Sequence, residues 1–144
     1  MADLTANTYC VFGMSSPLDK VGAGRHFTLY HPKASVIAFT GLNGKIFWFI
    51  FKELEAPLPY SERRAWDEKD AQAAYEMCKD LVFTEGVKFS DVWDTTEYKV
   101  TLTVEQGICE SFYAGRMFLL GDAVHKVSRY PNDHSFSEVS MDES

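Results

Sequence analysis

The heptapeptide Lys45-Ile-Phe-Trp-Phe-Ile-Phe51 constrains what this chain can fold into more than any other stretch. Its aromatic and β-branched residues favour a strand, yet it does not alternate between apolar and polar. Successive strand side chains point to opposite faces, so Ile46, Trp48 and Ile50 project one way and Phe47, Phe49 and Phe51 the other. A sheet with one wet face does not tolerate such a strand; both faces must be covered. A helix is expected on one face, and a ligand or a second protein surface on the other.

The flanking sequence supplies partners. Residues 7–13 read as a strand ended by Gly13, and 14–24, rich in Ser, Pro and Gly, as a loop. Arg25–Tyr30 and Ala34–Thr40 read as strands around a turn at His31-Pro32-Lys33. Asn43-Gly44 tolerates positive φ and suits a tight hairpin into the heptapeptide. Residues 55–61, with Pro57 and Pro59, read as a linker. The main helix is expected over 67–82: Asp67 caps it, Glu68 and Asp70 favour its dipole, and Ala71, Ala74, Tyr75, Cys78 and Leu81 or Val82 form the buried stripe. A helical turn is expected at 89–93. Residues 97–105 alternate Tyr98, Val100, Leu102 and Val104 against Lys99, Thr101 and Thr103, a half-buried strand. A last hairpin is expected around Ala114-Gly115. The expected class is α+β: an antiparallel β-sheet with one main helix packed on one face. It forms a single domain over 1–127, followed by a polar tail at 128–144.

Composition narrows the function. A chain of 144 residues suits one domain, which at this size buries roughly 68–70% of its unfolded surface. The aromatic fraction of 15% fits a bulky core or a cavity walled by rings. The net charge of −7 and the absence of a basic stripe speak against nucleic acid and anionic membranes as partners. Cys10, Cys78 and Cys109 are an odd set without framework spacing, which suits a reducing compartment. No signal peptide is read at the start, and the longest apolar run, Ile46–Phe51, is far short of a membrane span. A cytoplasmic location is expected.

Most motif matches fail on inspection. Gly22-Ala-Gly-Arg-His-Phe27 lacks the third glycine of a dinucleotide loop and precedes a strand, whereas that loop needs a helix N-terminus. Gly13-Met-Ser-Ser-Pro17 is half of a nucleophile elbow, with Pro17 replacing the second glycine. His26, His31, His125 and His134 have no metal-ligand spacing, so no metal is expected.

Gly115-Arg-Met-Phe-Leu-Leu-Gly-Asp-Ala-Val-His-Lys126 is more specific. It resembles the second FAD-contacting motif of the flavin-dependent aromatic hydroxylase class, and more narrowly the fungal monooxygenases and epoxidases of terpenoid and meroterpenoid pathways. Tyr9–Pro17, Gly44–Lys52 and Phe89–Trp93 match the substrate-domain pattern of that family in order and spacing, so the resemblance covers about residues 7–127. It implies that Asp122 accepts a hydrogen bond from the ribityl chain of FAD. Arg116, Gly121, Asp122 and His125 are then relics of a cofactor site, in which Asp122 and His125 keep a turn or capping role. The family's glycine fingerprint for ADP is absent, and so is the Gly-Gln-Gly helix start expected after His125; Pro131 also falls two positions late. One charge-assisted hydrogen bond contributes about 1.5–3 kcal/mol, too little to retain a dinucleotide. No bound cofactor is therefore expected.

The resemblance implies that the substrate-gripping sheet survives with one apolar face bare. The leading expectation is a cofactor-independent cyclase or isomerase of a terpenoid-like or polyketide-like intermediate, preferably a pericyclase of the intramolecular Diels–Alder type. Such an enzyme works by orientation, worth up to roughly 7–11 kcal/mol in the best cases, and by hydrogen bonds to a substrate carbonyl. Phe12, Met14, Phe39, Phe47 and Phe49 are the expected substrate wall. Tyr9, Tyr30, Trp48 and His26 are the expected catalytic groups, with Arg25 and Lys45 as further donors and His26, Asp122 or His125 as acid–base candidates. A homodimer burying the sheet would cover the bare face. The alternatives are a non-catalytic binding module for a small molecule or a partner, and half of an FAD monooxygenase completed in trans.

Overall fold

The computed structural model describes residues 4–126. In chain order its elements are β1 (Thr5–Ser15), β2 (His26–His31), β3 (Ala34–Thr40), β4 (Ile46–Pro59), α1 (Glu68–Cys78), β5 (Val82–Thr84), β6 (Val87–Lys88), α2 (Phe89–Asp94), β7 (Thr96–Ile108), β8 (Tyr113–Ala114), β9 (Met117–Phe118) and β10 (His125–Lys126). Six of the strands form one antiparallel sheet in the order β10-β7-β1-β4-β3-β2, so β1 and β4 lie at its centre. The expected α+β architecture is the one observed.

The helices cover one face. Asp67 closes the start of α1 by accepting from the Lys69 and Asp70 amides at 2.8 and 3.2 Å, and the Asp70 carboxylate accepts from the Asp67 amide at 3.0 Å. This reciprocal capping satisfies donors the first turn leaves open. Ala71, Ala74 and Cys78 then bury against the sheet, and small side chains let the helix approach closely. Val11, Val36, Ile46, Trp48 and Ile50 meet them from the strands, joined by Phe89 and Val92 of α2. Burial among apolar groups pushes the Cys78 thiol up to about 12.

Gly13 does not end β1; it makes room. A Cβ at this position would lie 2.5 Å from Cη2 of Trp48 and still nearer two other indole carbons. The indole therefore lies over the glycine, edge-on to Phe89, with its Nε1 donating to Ser15 Oγ at 2.8 Å. The Ser15 hydroxyl passes the chain on to the Val92 carbonyl at 2.7 Å. This relay ties β4 to β1 and both to α2, and it explains why β1 continues to Ser15.

Other elements differ from their sequence expectations for local reasons. Most of the expected linker at 55–61 is the end of β4, which pairs Leu58 and Pro59 with Ala6 and Thr5 before a 3-10 turn at Tyr60–Glu62. β3 stops pairing at Lys52, so Pro57 and Pro59 lie where β4 has become an edge and no ladder donor is missed. The main helix stops at Cys78 instead of 82, because Val82–Thr84 turns back on Val87–Lys88 through Gly86, whose φ is +77°. The last hairpin is shorter than expected, only Tyr113–Ala114 against Met117–Phe118. The expected tail at 128–144 lies outside the described residues. No helix among the described residues is long and apolar enough to cross a membrane.

Candidate functional site: the uncovered aromatic face

Antiparallel register places the second face of the sheet in three rows. Tyr98, Met14, Phe47, Phe39 and His26 are successive partners across β7, β1, β4, β3 and β2. Val100, Phe12, Phe49, Ile37 and Thr28 form the next row. Leu102, Cys10, Phe51, Ser35 and Tyr30 form the third. No described helix covers these rows; both pack on the other face. Tyr98, Leu102, Tyr30 and Phe39 remain 54, 53, 58 and 45% exposed.

The rings hold one another. Phe12 lies 5.0 Å from Phe49 and 6.4 Å from Tyr98, and Phe39 meets Phe49 edge-on at 6.5 Å. The His26 imidazole stacks on Phe39 at 4.9 Å. Phe49 and Phe51 lie 6.2 Å apart and nearly parallel. These spacings are those of favourable aromatic pairs, so the rings form a preformed platform.

All five residues expected to form the substrate wall, Phe12, Met14, Phe39, Phe47 and Phe49, share this face. Two of the expected catalytic groups, His26 and Tyr30, lie on it too, on the edge strand β2. The other two do not. Trp48 is fully buried on the helix side, committed to Ser15. Tyr9 is buried there as well, stacked on Trp66 at 4.5 Å and donating to the Asp70 carbonyl at 2.9 Å. Burial, and secondarily the Asp70 charge, push its phenol up to about 12. Both side chains belong to the core because strand parity sends them away from Phe12 and Phe49.

The remaining polar candidates are dispersed. Lys45 is engaged by Glu97 at 2.7 Å, and that carboxylate is held below its usual range by Lys45 and Ser16. Arg25 lies over the Phe27 ring at 5.5 Å. Arg116 falls in the β8–β9 turn, and Gly121 opens a single 3-10 turn with φ +59°. Asp122 lies in that turn, its side chain outside the described part. His125 pairs with Ile108 at the far sheet edge, beyond β7, and so lies away from His26 and Tyr30 on β2.

β7 keeps the alternation read from its sequence. Tyr98, Val100 and Leu102 do not enter the chain's own core; they extend the uncovered face. Its polar side turns toward the helices, where Thr103 accepts from Trp66 Nε1 at 2.7 Å and Lys99 lies 5.2 Å from the Trp93 ring and 2.9 Å from Glu68. Lys99 and Thr101 border a shallow cleft beside Trp66 and Ala71. Reasoning from sequence placed Phe51 on one face with Phe47 and Phe49 but left it, with Ser35 and Ile37, out of the substrate wall. Strand parity in Ala34–Thr40 and Lys45–Phe51 carried the signal for all three.

A second exposed apolar surface lies on the chain after β7. Phe112, Tyr113, Met117, Phe118 and Leu120 are all exposed on or beside the small hairpin, Phe118 and Leu120 to 76 and 82%.

With this geometry in place, comparison with known proteins defines the class: the chain is homologous to a segment of the fungal FAD-dependent monooxygenases. It is 32% identical to the FAD-dependent monooxygenase adrH of Penicillium rubens over 125 residues, 87% of this chain and 28% of that protein. It is 32% identical to cdmI of Talaromyces verruculosus over 117 residues, 81% of this chain and 24% of that protein. Pyr5 of Aspergillus fumigatus is 32% identical over 127 residues, covering 85% and 27% respectively. The chain thus spans less than a third of the curated relatives it matches. Its fold matches part of the tetracycline destructase Tet(51), with a TM-score of 0.53 at 14% identity over 90% of this chain and 34% of that one. No family model matches.

The described residues do not fit FAD as a whole. A dinucleotide site of the usual kind needs a parallel βαβ crossover with a helix N-terminus at the pyrophosphate, and every strand pair in the sheet is antiparallel.

Proposed function

We propose that this chain forms the substrate-facing sheet of an FAD-dependent monooxygenase. The nucleotide is held by further polypeptide, of this chain or of another. The observation that carries the reading is the aromatic face, preformed and left uncovered by the described helices. The exposed hairpin at 113–118 supports it, since an apolar surface of that kind is expected where more protein packs. In this role Phe12, Phe39, Phe49 and Tyr98 bind and orient an apolar substrate and exclude water from it. Burying about 150 Å² of apolar surface on such a platform contributes roughly 4 kcal/mol before the cost of association. His26 and Tyr30, at the β2 edge, orient polar groups at one end.

A chimera tests this. The matching segment of the Penicillium rubens relative is replaced by this chain, and retained flavin and turnover of that relative's own substrate are measured. The expected chimera keeps its flavin absorption band after desalting, and Phe49→Asp abolishes turnover without releasing flavin. Unchanged turnover in Phe49→Asp would sink the reading.

A cofactor-independent cyclase, preferably a pericyclase, is the second reading, favoured by the same apolar face with donors at one edge. Acceleration of a polyene cyclisation by this chain alone, lost in Phe49→Asp, would establish it over the first.

A further inference from the structure

The helix-covered face and the open face treat buried hydroxyls differently. On the helix side, Ser15 Oγ donates to the Val92 carbonyl and accepts from Trp48. Thr40 Oγ1 donates to the Gly22 carbonyl at 2.7 Å and accepts from the Arg25 amide at 2.7 Å. Ser35 belongs to the open face, between Tyr30 on β2 and Phe51 on β4, and is as fully buried as Ser15. Its hydroxyl has no hydrogen-bond partner among the described residues.

Buried hydroxyls in native proteins nearly always have a partner, because leaving one unpaired forfeits the bonds it made to water. Neighbouring positions give no structural reason for a serine here. Ile37 and Phe39, the next open-face residues of the same strand, are apolar, and the row that holds Ser35 contains Leu102, Cys10 and Phe51. A hydroxyl set in such surroundings is suited to recognise one polar atom on an otherwise apolar partner, since such a group discriminates strongly when its counterpart is missing. Tyr30, its register partner, lies on the edge strand with room in solvent to swing aside and a second hydroxyl to offer.

We propose that Ser35 is the polar anchor of a ligand subsite at the Tyr30 end of the open face. Its occupant is a ring-bearing apolar small molecule with one carbonyl oxygen, which accepts a hydrogen bond from the Ser35 hydroxyl. The proposal rests on the substrate-face reading and names the ligand chemistry of its polar end.

The test titrates the full ¹⁵N-labelled chain with two probes of matched shape, 2-acetylnaphthalene and 2-ethylnaphthalene, following amide shifts. The acetyl probe is expected to bind roughly tenfold tighter, the worth of one neutral hydrogen bond, and to shift amides of residues 28–37. Ser35→Ala, which removes only the unpaired hydroxyl, is expected to bring the ratio to about one while leaving the ethyl probe's affinity unchanged. Ser35→Cys, with a weaker donor of similar size, is expected to fall between. A preference that persists in Ser35→Ala overturns the anchor. Equal binding of both probes to the open face of the unaltered chain overturns it too, while the substrate-face reading stands. Failure of both probes to bind the open face overturns both.

Discussion

Gly13 is the position where the smallest change should do the most damage. Replacing it with alanine puts a methyl 2.5 Å from Trp48 Cη2 and nearer still to Cζ2 and Cε2, where carbon contacts settle at about 3.5–4.0 Å. The indole must retreat by more than about 1 Å, yet it is fully buried and hemmed by Phe89 at 5.3 Å and Trp93 at 5.4 Å. Overpacking of this kind costs about 1–3 kcal/mol. Moving the ring also breaks the Trp48–Ser15–Val92 relay, and an unpaired buried donor costs a further 1–3 kcal/mol or so. The sum, roughly 2–6 kcal/mol, corresponds to a fall in Tm of roughly 5–25 °C for a chain of this size. Urea and thermal unfolding read by tryptophan fluorescence measure it. Trp48→Phe removes the indole carbons in the way, so in that background Gly13→Ala should cost under about 1 kcal/mol, a coupling that a double-mutant cycle exposes. A loss below about 0.5 kcal/mol, or the same loss in both backgrounds, refutes the reasoning.

Ser35→Ala should stabilise the chain by about 1 kcal/mol or more, since it removes a buried hydroxyl without a partner; a loss of stability in urea would mean the hydroxyl is bonded. Tyr9, Cys10 and Cys78 are acids raised to about 12 in the folded state. The stability they link to protonation is complete below their unfolded values of 9.0 and 10.0 and is lost as pH climbs through about 12. Unfolding free energy should therefore fall across that window, and less steeply above pH 10 in Tyr9→Phe. At pH 8, one thiol, Cys109, should react with a disulfide reagent at once, while Cys10 and Cys78 wait for unfolding; three fast thiols would contradict their burial.

Much of this arrangement was legible in the residues themselves. The non-alternating strand Lys45–Phe51 demanded two covered faces, and parity within it already separated Trp48 from Phe47 and Phe49. Naming Trp48 and Tyr9 as donors ignored that parity. Their polar atoms face the core and are spent on Ser15 and on the Asp70 carbonyl. Gly13 looked like a terminator because glycine commonly ends strands. Its true role, room for an indole thirty-five residues away, depends on register, which no local pattern carries. Ser35 was invisible for a similar reason: a serine in a strand says nothing until its row neighbours are known.

β7 carries the last step. Its apolar and polar residues alternate as in any half-buried strand, and the ordinary inference sends Tyr98, Val100 and Leu102 inward. In the fold they point away from the chain's own helices, while Lys99 and Thr103 face α1 and α2 and are satisfied there by Glu68 and Trp66. A strand that turns its apolar side outward costs the isolated chain hydrophobic burial on Tyr98 and Leu102, both more than half exposed. That cost is offset only if something beyond these residues occupies the face. The same holds for Phe118 and Leu120, on and beside the small hairpin that follows β7 in the chain, more exposed still. Two exposed apolar surfaces, one on β7 and one on the hairpin after it, fit the proposal that further polypeptide or a ligand restores the missing burial in a chain that matches 24–30% of the length of its curated relatives.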